Sequence, residues 1–175
     1  ARLKSYKKMF GYARKTILGN IENTDYKEEF KVEDIYVLID RFGYTKSLDS
    51  ASYNRVAEET LKEYTHIIPM KNTDRLCLFT AEGNMYQVKA DKIPKCKMKD
   101  KGTLIHTLCK VGKEDILVYT SFEALFESQL CFTTKNGYIK LVSGIEFETN
   151  RAAIASTKLE EGDLLIGITF LSATD

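Results

Sequence analysis

Three runs of this chain superpose without gaps, and that self-similarity limits the fold more than any other feature. Residues 34–46, 74–86 and 128–140 each open on a polar residue and continue as a strand-like run. Each then breaks at a polar turn ending in glycine (Gly43, Gly83, Gly137) and starts a new strand. Glycine there suits a hairpin, since one turn position usually demands positive φ. A further arm recurs beside each hairpin. Residues 65–70 lead to Asp74, 101–108 lead to Glu114-Asp115-Ile116-Leu117, and 151–159 lead to Gly162-Asp163-Leu164-Leu165. The unit therefore reads strand, glycine turn, strand, variable loop, strand, with an aspartate opening the next unit. That is one blade of a propeller-like array, and three hairpins in phase are hard to obtain by chance. The final Asp163 run reads as the first strand of a unit that the chain does not complete.

Outside the repeat, Leu3, Tyr6, Met9 and Phe10 sit at helical spacing and Gly11 follows as a terminator. Residues 20–29 are polar and read as irregular. Val56, Thr60 and Tyr64 lie four apart among charged residues, which predicts a helix over 52–64; a second is expected over 122–126. The expected layout is an N-terminal helix and linker over 1–30, then blades over 31–64, 65–120 and 121–175. The start at Ala1 without a methionine suggests an excised piece of a longer chain.

Composition narrows the function classes. With 43% hydrophobic residues the chain can bury a core, and it has no apolar run long enough to span a bilayer. The first residues lack the apolar centre of a signal peptide, so a cytoplasmic location is expected. Cys77, Cys96, Cys109 and Cys131 form no Cys-x-x-Cys pair, and three of them lie inside apolar runs. Reduced core cysteines are expected, a metal site being the alternative. The net charge is only +1, which taken alone argues against a strong nucleic-acid binder. The distribution differs from the sum. Arg2, Lys4, Lys7, Lys8, Arg14 and Lys15 have no acidic residue among them, and Lys89, Lys92, Lys95, Lys97, Lys99 and Lys101 are interrupted only by Asp91 and Asp100. Segregated charge makes a local field even when the total is small.

The repeat is similar to that of the β-pinwheel domain in the A subunits of bacterial type IIA DNA topoisomerases, the gyrase and topoisomerase IV family. The hairpins Leu78-Phe79-Thr80-Ala81-Glu82-Gly83 and Phe132-Thr133-Thr134-Lys135-Asn136-Gly137-Tyr138-Ile139-Lys140 carry the resemblance. So do Lys101-Gly102-Thr103 and Glu161-Gly162-Asp163-Leu164-Leu165, and the opening helix with Arg14-Lys15-Thr16-Ile17 resembles the family's link from the breakage-reunion region. The resemblance implies a mostly β fold, a partial β-pinwheel of about three antiparallel blades with a short N-terminal helix. Residues 40–46 and 71–76 look most like topoisomerase IV-type subunits. No Gln-Arg-Arg-Gly-Gly box of the supercoiling gyrases is present, and the chain holds fewer blades than a full pinwheel. By the resemblance, the partners are duplex DNA, the ATPase B subunit, and the remaining parts of the A subunit. ATP and magnesium then belong to the remainder of the holoenzyme, with no cofactor in this chain.

Nothing in the residues points to catalysis. The family's cleaving Arg-Tyr pair is missing, as is a glycine-rich phosphate loop. His66 and His106 are each flanked by an isoleucine and read as partly buried structural histidines. Asp34, Asp74 and Asp163 read as strand-end hydrogen-bonding groups. Phosphate binding remains, by a track of cations on the outer rim. The candidates are Arg41 and Lys46 in the first blade and Lys89, Lys92, Lys95, Lys97, Lys99 and Lys101 in the second. Lys135, Lys140, Arg151 and Lys158 follow in the third. The 89–101 cluster lacks the interleaved aromatics of a single-strand binder, which favours duplex DNA. Two rivals stay open: a propeller-like protein-interaction module without DNA binding, which the near-neutral charge favours, and an enzyme whose site leaves no sequence cue.

Overall fold

The computed structural model describes residues 2–12 and 31–171, in two compact units, Ala1–Lys31 and Val32–Asp175. The first unit holds helix α1 (Arg2–Phe10), whose Tyr6 and Phe10 rings stack at 6.2 Å. The Gly11 amide donates to the Lys7 carbonyl at 2.9 Å and closes the last turn. The basic pair Arg14-Lys15 and the segment 20–29 lie outside the described residues.

Among the described residues the second unit has eleven short strands. In chain order these are β1 (Asp34–Asp40), β2 (Tyr44–Asp49), β3 (Tyr64–Lys71), β4 (Arg75–Thr80), β5 (Asn84–Lys89) and β6 (Thr103–Leu104). Then come β7 (Ile116–Ser121), β8 (Gln129–Thr134), β9 (Ile139–Ser143), β10 (Ala153–Ala155) and β11 (Leu165–Leu171). They form three antiparallel sheets with the orders β3-β1-β2-β6, β10-β5-β4-β7 and β11-β8-β9. Single-turn helices α2 (Ser50–Tyr53), α3 (Glu58–Leu61), α4 (Ile105–Cys109) and α5 (Phe122–Phe126) connect them.

Each repeat hairpin closes by the same chemistry. The first residue of the turn accepts, through its side-chain oxygen, the amide four residues on. Asp40 takes Tyr44 at 2.9 Å, Thr80 takes Asn84 at 3.3 Å, and Thr134 takes Tyr138 at 3.3 Å. Gly43, Gly83 and Gly137 follow at φ of 83°, 79° and 89°, a left-handed conformation that glycine adopts without steric cost.

The partner strands correct two expectations. Residues 64–71 pair with β1 inside the first sheet, so that blade extends to Lys71 rather than ending at 64. Leu165–Leu171 pairs with β8 as β3 pairs with β1 and β7 with β4. It is therefore the last strand of the third blade, not the first strand of another. The reason is that first and last strands of a blade carry the same apolar texture, and only pairing separates them. Asp163 accordingly occupies the place of Glu114, one residue before Asp115 and two before β7, and not that of Asp34 or Asp74. The helix expected over 52–64 resolves into α2 and α3, because Tyr64 already pairs in the sheet opposite Asp40. Asp49 caps α2 by accepting the Ser52 amide at 2.7 Å, and the Tyr53 ring lies 3.8 Å from that of Tyr36. The 122–126 helix is α5, capped by Ser121.

The middle sheet is buried on both faces, which is why β4 reads as an unbroken apolar run. Leu76, Leu78 and Val88 pack with Val37, Ile39, Ile68 and Ile105 of the first blade and its neighbours. Cys77, Phe79 and Met85 pack the other way, with Leu130, Phe132, Val142 and Leu165. Phe79 meets Phe132 and Phe147 edge to face, with centroids 6.0 and 5.4 Å apart. Each fully buried side chain of this kind contributes about 1.5–3 kcal/mol. All four cysteines are free; Cys77 and Cys109 are buried and their thiols are pushed up to about 12 by that burial, whereas Cys96 and Cys131 are half-buried.

Candidate nucleic-acid interface

A strip of chain leaving the second blade covers the outer edge of β2 in the first. The Ser47 amide donates to the Pro94 carbonyl at 2.9 Å, the Cys96 amide to the Ser47 carbonyl at 3.3 Å, and β6 pairs Thr103 with Thr45. Between these anchors Pro94, Cys96 and Met98 are half-buried while Lys95, Lys97, Lys99 and Lys101 are exposed. Alternation thus displays four ammonium groups along one edge. A turn in which Asp100 accepts the Lys97 amide at 3.0 Å shapes the middle of the strip. The Lys101 ammonium stands 5.9 Å over the Tyr44 ring, and Lys95 approaches the Asp49 carboxylate at 3.8 Å. Pairs exposed like the latter contribute little and leave the cation available.

Lys46 departs from its expected role. It is 1% exposed and cannot reach phosphate. Its Nζ donates to the carbonyls of Met98 at 2.7 Å and Asp100 at 2.8 Å, and lies 5.1 Å from the Tyr64 ring centroid. It is a positioning residue, a buried cation that ties the strip to the sheet. Sequence reasoning missed this because nothing in the local pattern says that a segment fifty residues on will cover the β2 edge.

The other candidates are exposed. Arg41 and Lys135 occupy equivalent hairpin turns, with the Arg41 guanidinium 4.6 Å over the Phe42 ring. Arg151 lies on the arm covering β5, where Gln87 Nε2 donates to its carbonyl and to that of Thr149. Lys140 stands on β9, which has no strand on its outer edge among the described residues. Lys158 follows Thr157, whose amide donates to the Gly83 carbonyl at 3.2 Å. Lys89 and Lys92 converge on a cavity of about 380 Å³ that also receives Arg75 and Lys110. The last two escaped the sequence reading because each stands apart from any cationic run. The structure therefore gathers one strip and one cavity; Arg41, Lys135, Lys140, Arg151 and Lys158 stand singly on turns and edges.

The carboxylates and histidines serve the scaffold. Burial alone would raise the Glu114 carboxyl, yet it is lowered by hydrogen bonds from Thr80 Oγ1 at 2.5 Å, Tyr86 OH at 2.8 Å and Asn84 Nδ2 at 3.3 Å. Asp163 behaves alike, with burial outweighed by the Thr134 hydroxyl and the Asn136 and Leu164 amides. Asp74 accepts the Arg75 and Glu123 amides, while burial raises its pKa. His66 is half-buried against Tyr119, at 4.8 Å, and burial lowers its pKa. His106 is exposed, contrary to expectation, because it lies on the outer side of α4; its Nδ1 is 3.1 Å from the Gly112 carbonyl. Among the described residues no group of three His, Cys, Asp or Glu side chains is placed to hold a metal ion.

Comparison with known proteins agrees with this architecture. The family model described as the DNA gyrase C-terminal domain, beta-propeller, matches residues 74–118 and 128–172, which are the second and third blades. The first blade has the same sheet order although the family model does not reach it. The DNA gyrase A protein of Helicobacter pylori is 30% identical over 174 residues, covering 91% of this chain and 21% of that protein. The DNA gyrase A protein of Clostridium acetobutylicum is 25% identical over 187 residues, covering 99% of this chain and 22% of its own length. The chain thus spans about one fifth of the relatives it matches. Among solved structures, the C-terminal domain of a DNA topoisomerase IV superposes with a TM-score of 0.68 at 22% identity, over 81% of this chain and 46% of that one. The E. coli ParC C-terminal domain gives 0.64 at 10% identity, over 79% and 57%. With its matched segments making up more than half of the 175 residues, the chain belongs to the DNA gyrase C-terminal domain, beta-propeller, family.

Proposed function

We propose that this domain binds and bends duplex DNA and presents it to the strand-passage machinery of an ATP-dependent type IIA topoisomerase, supplying no catalysis itself. The observation that carries the reading is the 95–101 strip: four exposed lysines held outward by backbone pairing to β2 and by buried Lys46. Regularly spaced ammonium groups on a rigid edge suit the phosphates of a duplex, neutralise them with counterion release and read no sequence. Bending a duplex costs several kcal/mol, so the exposed Arg151 and Lys140 on the corresponding edges of the other blades extend the track that offsets it. The absence of a Gln-Arg-Arg-Gly-Gly run supports decatenation and relaxation, as by a topoisomerase IV, over supercoiling. The partners are then duplex DNA, an ATPase B subunit, and the remaining parts of an A subunit, with the protein at work on the nucleoid in the cytoplasm. ATP and magnesium act elsewhere in that assembly.

The test is fluorescence anisotropy of a labelled duplex at two salt concentrations. Binding should be micromolar or tighter at low salt, collapse as salt rises, and ignore sequence. Changing Lys95, Lys97, Lys99 and Lys101 together to Glu should weaken it strongly with the fold intact. Unchanged affinity in that variant would remove the strip from the interface.

A further inference from the structure

The cavity lined by Lys89 and Lys92 has a composition unlike that of the other clefts. It opens between the far ends of β4 and β5, the end of α4 and the Asn150–Ala152 arm, and has a volume of about 380 Å³. Arg75, Lys89, Lys92 and Lys110 all line it, together with the Asn150 amide, over a floor that includes Val88 and Leu108. No carboxylate and no aromatic ring is among its lining residues. Lys89, Lys92 and Lys110 are exposed, and none of the ion pairs among the described residues involves them. Arg75 is half-buried and fixed: its Nη1 donates to Gln87 Oε1 at 3.1 Å and to the Thr149 carbonyl at 2.6 Å, and its guanidinium lies 5.0 Å over Phe122. Those acceptors are neutral, and the one carboxylate acting on it, Asp74, lies outside the cavity lining. Lys110 has φ of 55°, the one non-glycine residue in the left-handed region among those described. It caps the C-terminus of α4, where a left-handed residue commonly ends a helix.

Four basic residues lining one cavity with no acid in its wall make a seat for phosphate. We propose that this cavity binds phosphate esters of the DNA backbone, as a second phosphate-binding element beside the lysine strip. The inference rests on the duplex-binding reading. The source is a duplex rather than a free nucleotide for two reasons on the cavity wall: no ring is present to stack a base, and no carboxylate to accept from a ribose or an exocyclic amine. Lys92 also leads directly into the strip through Pro94 and Lys95, so one backbone can engage both. The residues involved include Arg75 and Lys110 from outside the recognisable basic run, which extends the interface across to the arm of the third blade.

The experiment uses the intact chain and two variants. Lys89→Gln/Lys92→Gln alters only exposed side chains, and adding Lys110→Gly removes a third cation while placing at that φ the residue best suited to it. Each lost phosphate contact lowers the slope of log affinity against log salt by about 0.9. The triple variant should therefore lose roughly two to three in slope, and at least tenfold in duplex affinity at low salt, with the double variant in between. Inorganic triphosphate at millimolar concentration should shift the backbone amide resonances around Lys89 and Lys110 in the parent and not in the triple variant; ATP should bind no better than triphosphate. Slope and affinity unchanged in both variants, while the Glu substitutions in the strip still weaken binding, would overturn the seat and leave the duplex reading standing. Insensitivity of duplex affinity to both sets would overturn the two together. Much tighter ATP than triphosphate binding would overturn the choice of a duplex over a nucleotide.

Discussion

The first and third blades share one repeat, yet the same positions live in different surroundings. Thr45 and Met85 are fully buried, whereas their counterpart Ile139 is 69% exposed. Lys46 is buried, Tyr86 is half-buried, and Lys140 is exposed. Ser47 and Gln87 are buried, and Leu141 is 54% exposed. Leu48, Val88 and Val142, one step further and facing inward, are buried in all three. The difference is the blade packed on that face: Thr45 and Ser47 share the Val37 and Ile39 face that packs on the second blade, Met85 shares the Phe79 face that packs on the third, and Ile139 and Leu141 face no further blade among the described residues. Lys46, on the opposite face, is buried by the strip along β2. A blade of this kind owes one edge to chain that belongs to the next repeat. Pairing within a hairpin is local; burial of these face positions is supplied by the next blade.

That contrast can be broken most severely at Gly102, where the covering strip approaches β2. Its φ is 82°, and a Cβ would lie 2.3 Å from the Thr45 carbonyl oxygen. Gly102→Val should cost about 3 kcal/mol or more, combining backbone strain with displacement of the strip. Gly137→Ala, at φ of 89° with open space around it, should cost only about 1 kcal/mol. Chemical denaturation of both checks the gap, and equal losses would mean that the strip contributes nothing to the first blade.

Truncating the face position itself gives the next effect. Met85→Ala empties a fully buried site and should cost about 2–5 kcal/mol. Ile139→Ala, at the same repeat position, should stay within about 0.5 kcal/mol, since its side chain is mostly in water. Thermal unfolding followed by circular dichroism separates them.

A smaller difference is expected between the two lysines. Lys46→Met removes the donor for the Met98 and Asp100 carbonyls and should cost about 1–3 kcal/mol. Hydrogen exchange should show the 96–101 amides opening before the blade cores. Lys140→Met should leave stability unchanged, and a matching loss there would refute the distinction.

The smallest effect concerns pH. Glu114 in the second blade has a lowered pKa, so its hydrogen bonds stabilise the fold above the ordinary glutamate range. That contribution is lost as pH falls through the folded-state value, because the protonated carboxyl no longer rewards its donors. Thr80→Val should therefore lower the melting temperature more at neutral pH than at a pH below the folded-state value of Glu114, where only the loss of its bond from the Asn84 amide remains. A difference independent of pH would assign the whole effect to the hairpin turn.

Much of the fold is legible in the residues. The glycine turns at 43, 83 and 137, the polar residue opening each turn and the apolar runs of β1, β4 and β8 follow from local chemistry, where every requirement lies within a dozen residues. So does the run of cations from Lys95 to Lys101. The blade limits were not legible, because Leu165–Leu171 and Tyr64–Lys71 carry the apolar texture of any strand and reveal their place only by pairing with β8 and β1. Lys46 could not be told from Lys140 for the same reason: both follow a glycine turn by three residues, and what covers one of them comes from fifty residues downstream. Nor could Arg75 and Lys110 be joined to Lys89 and Lys92, since α4 and β4 meet around the cavity only in three dimensions. The sequence by itself determined the repeat, its turns and the charge of the strip, because these depend on neighbours along the chain. Tertiary structure alone decided which edge is covered, which lysine is buried and which cations converge, because solvent exposure and charge proximity are set by segments that the chain brings together from far apart.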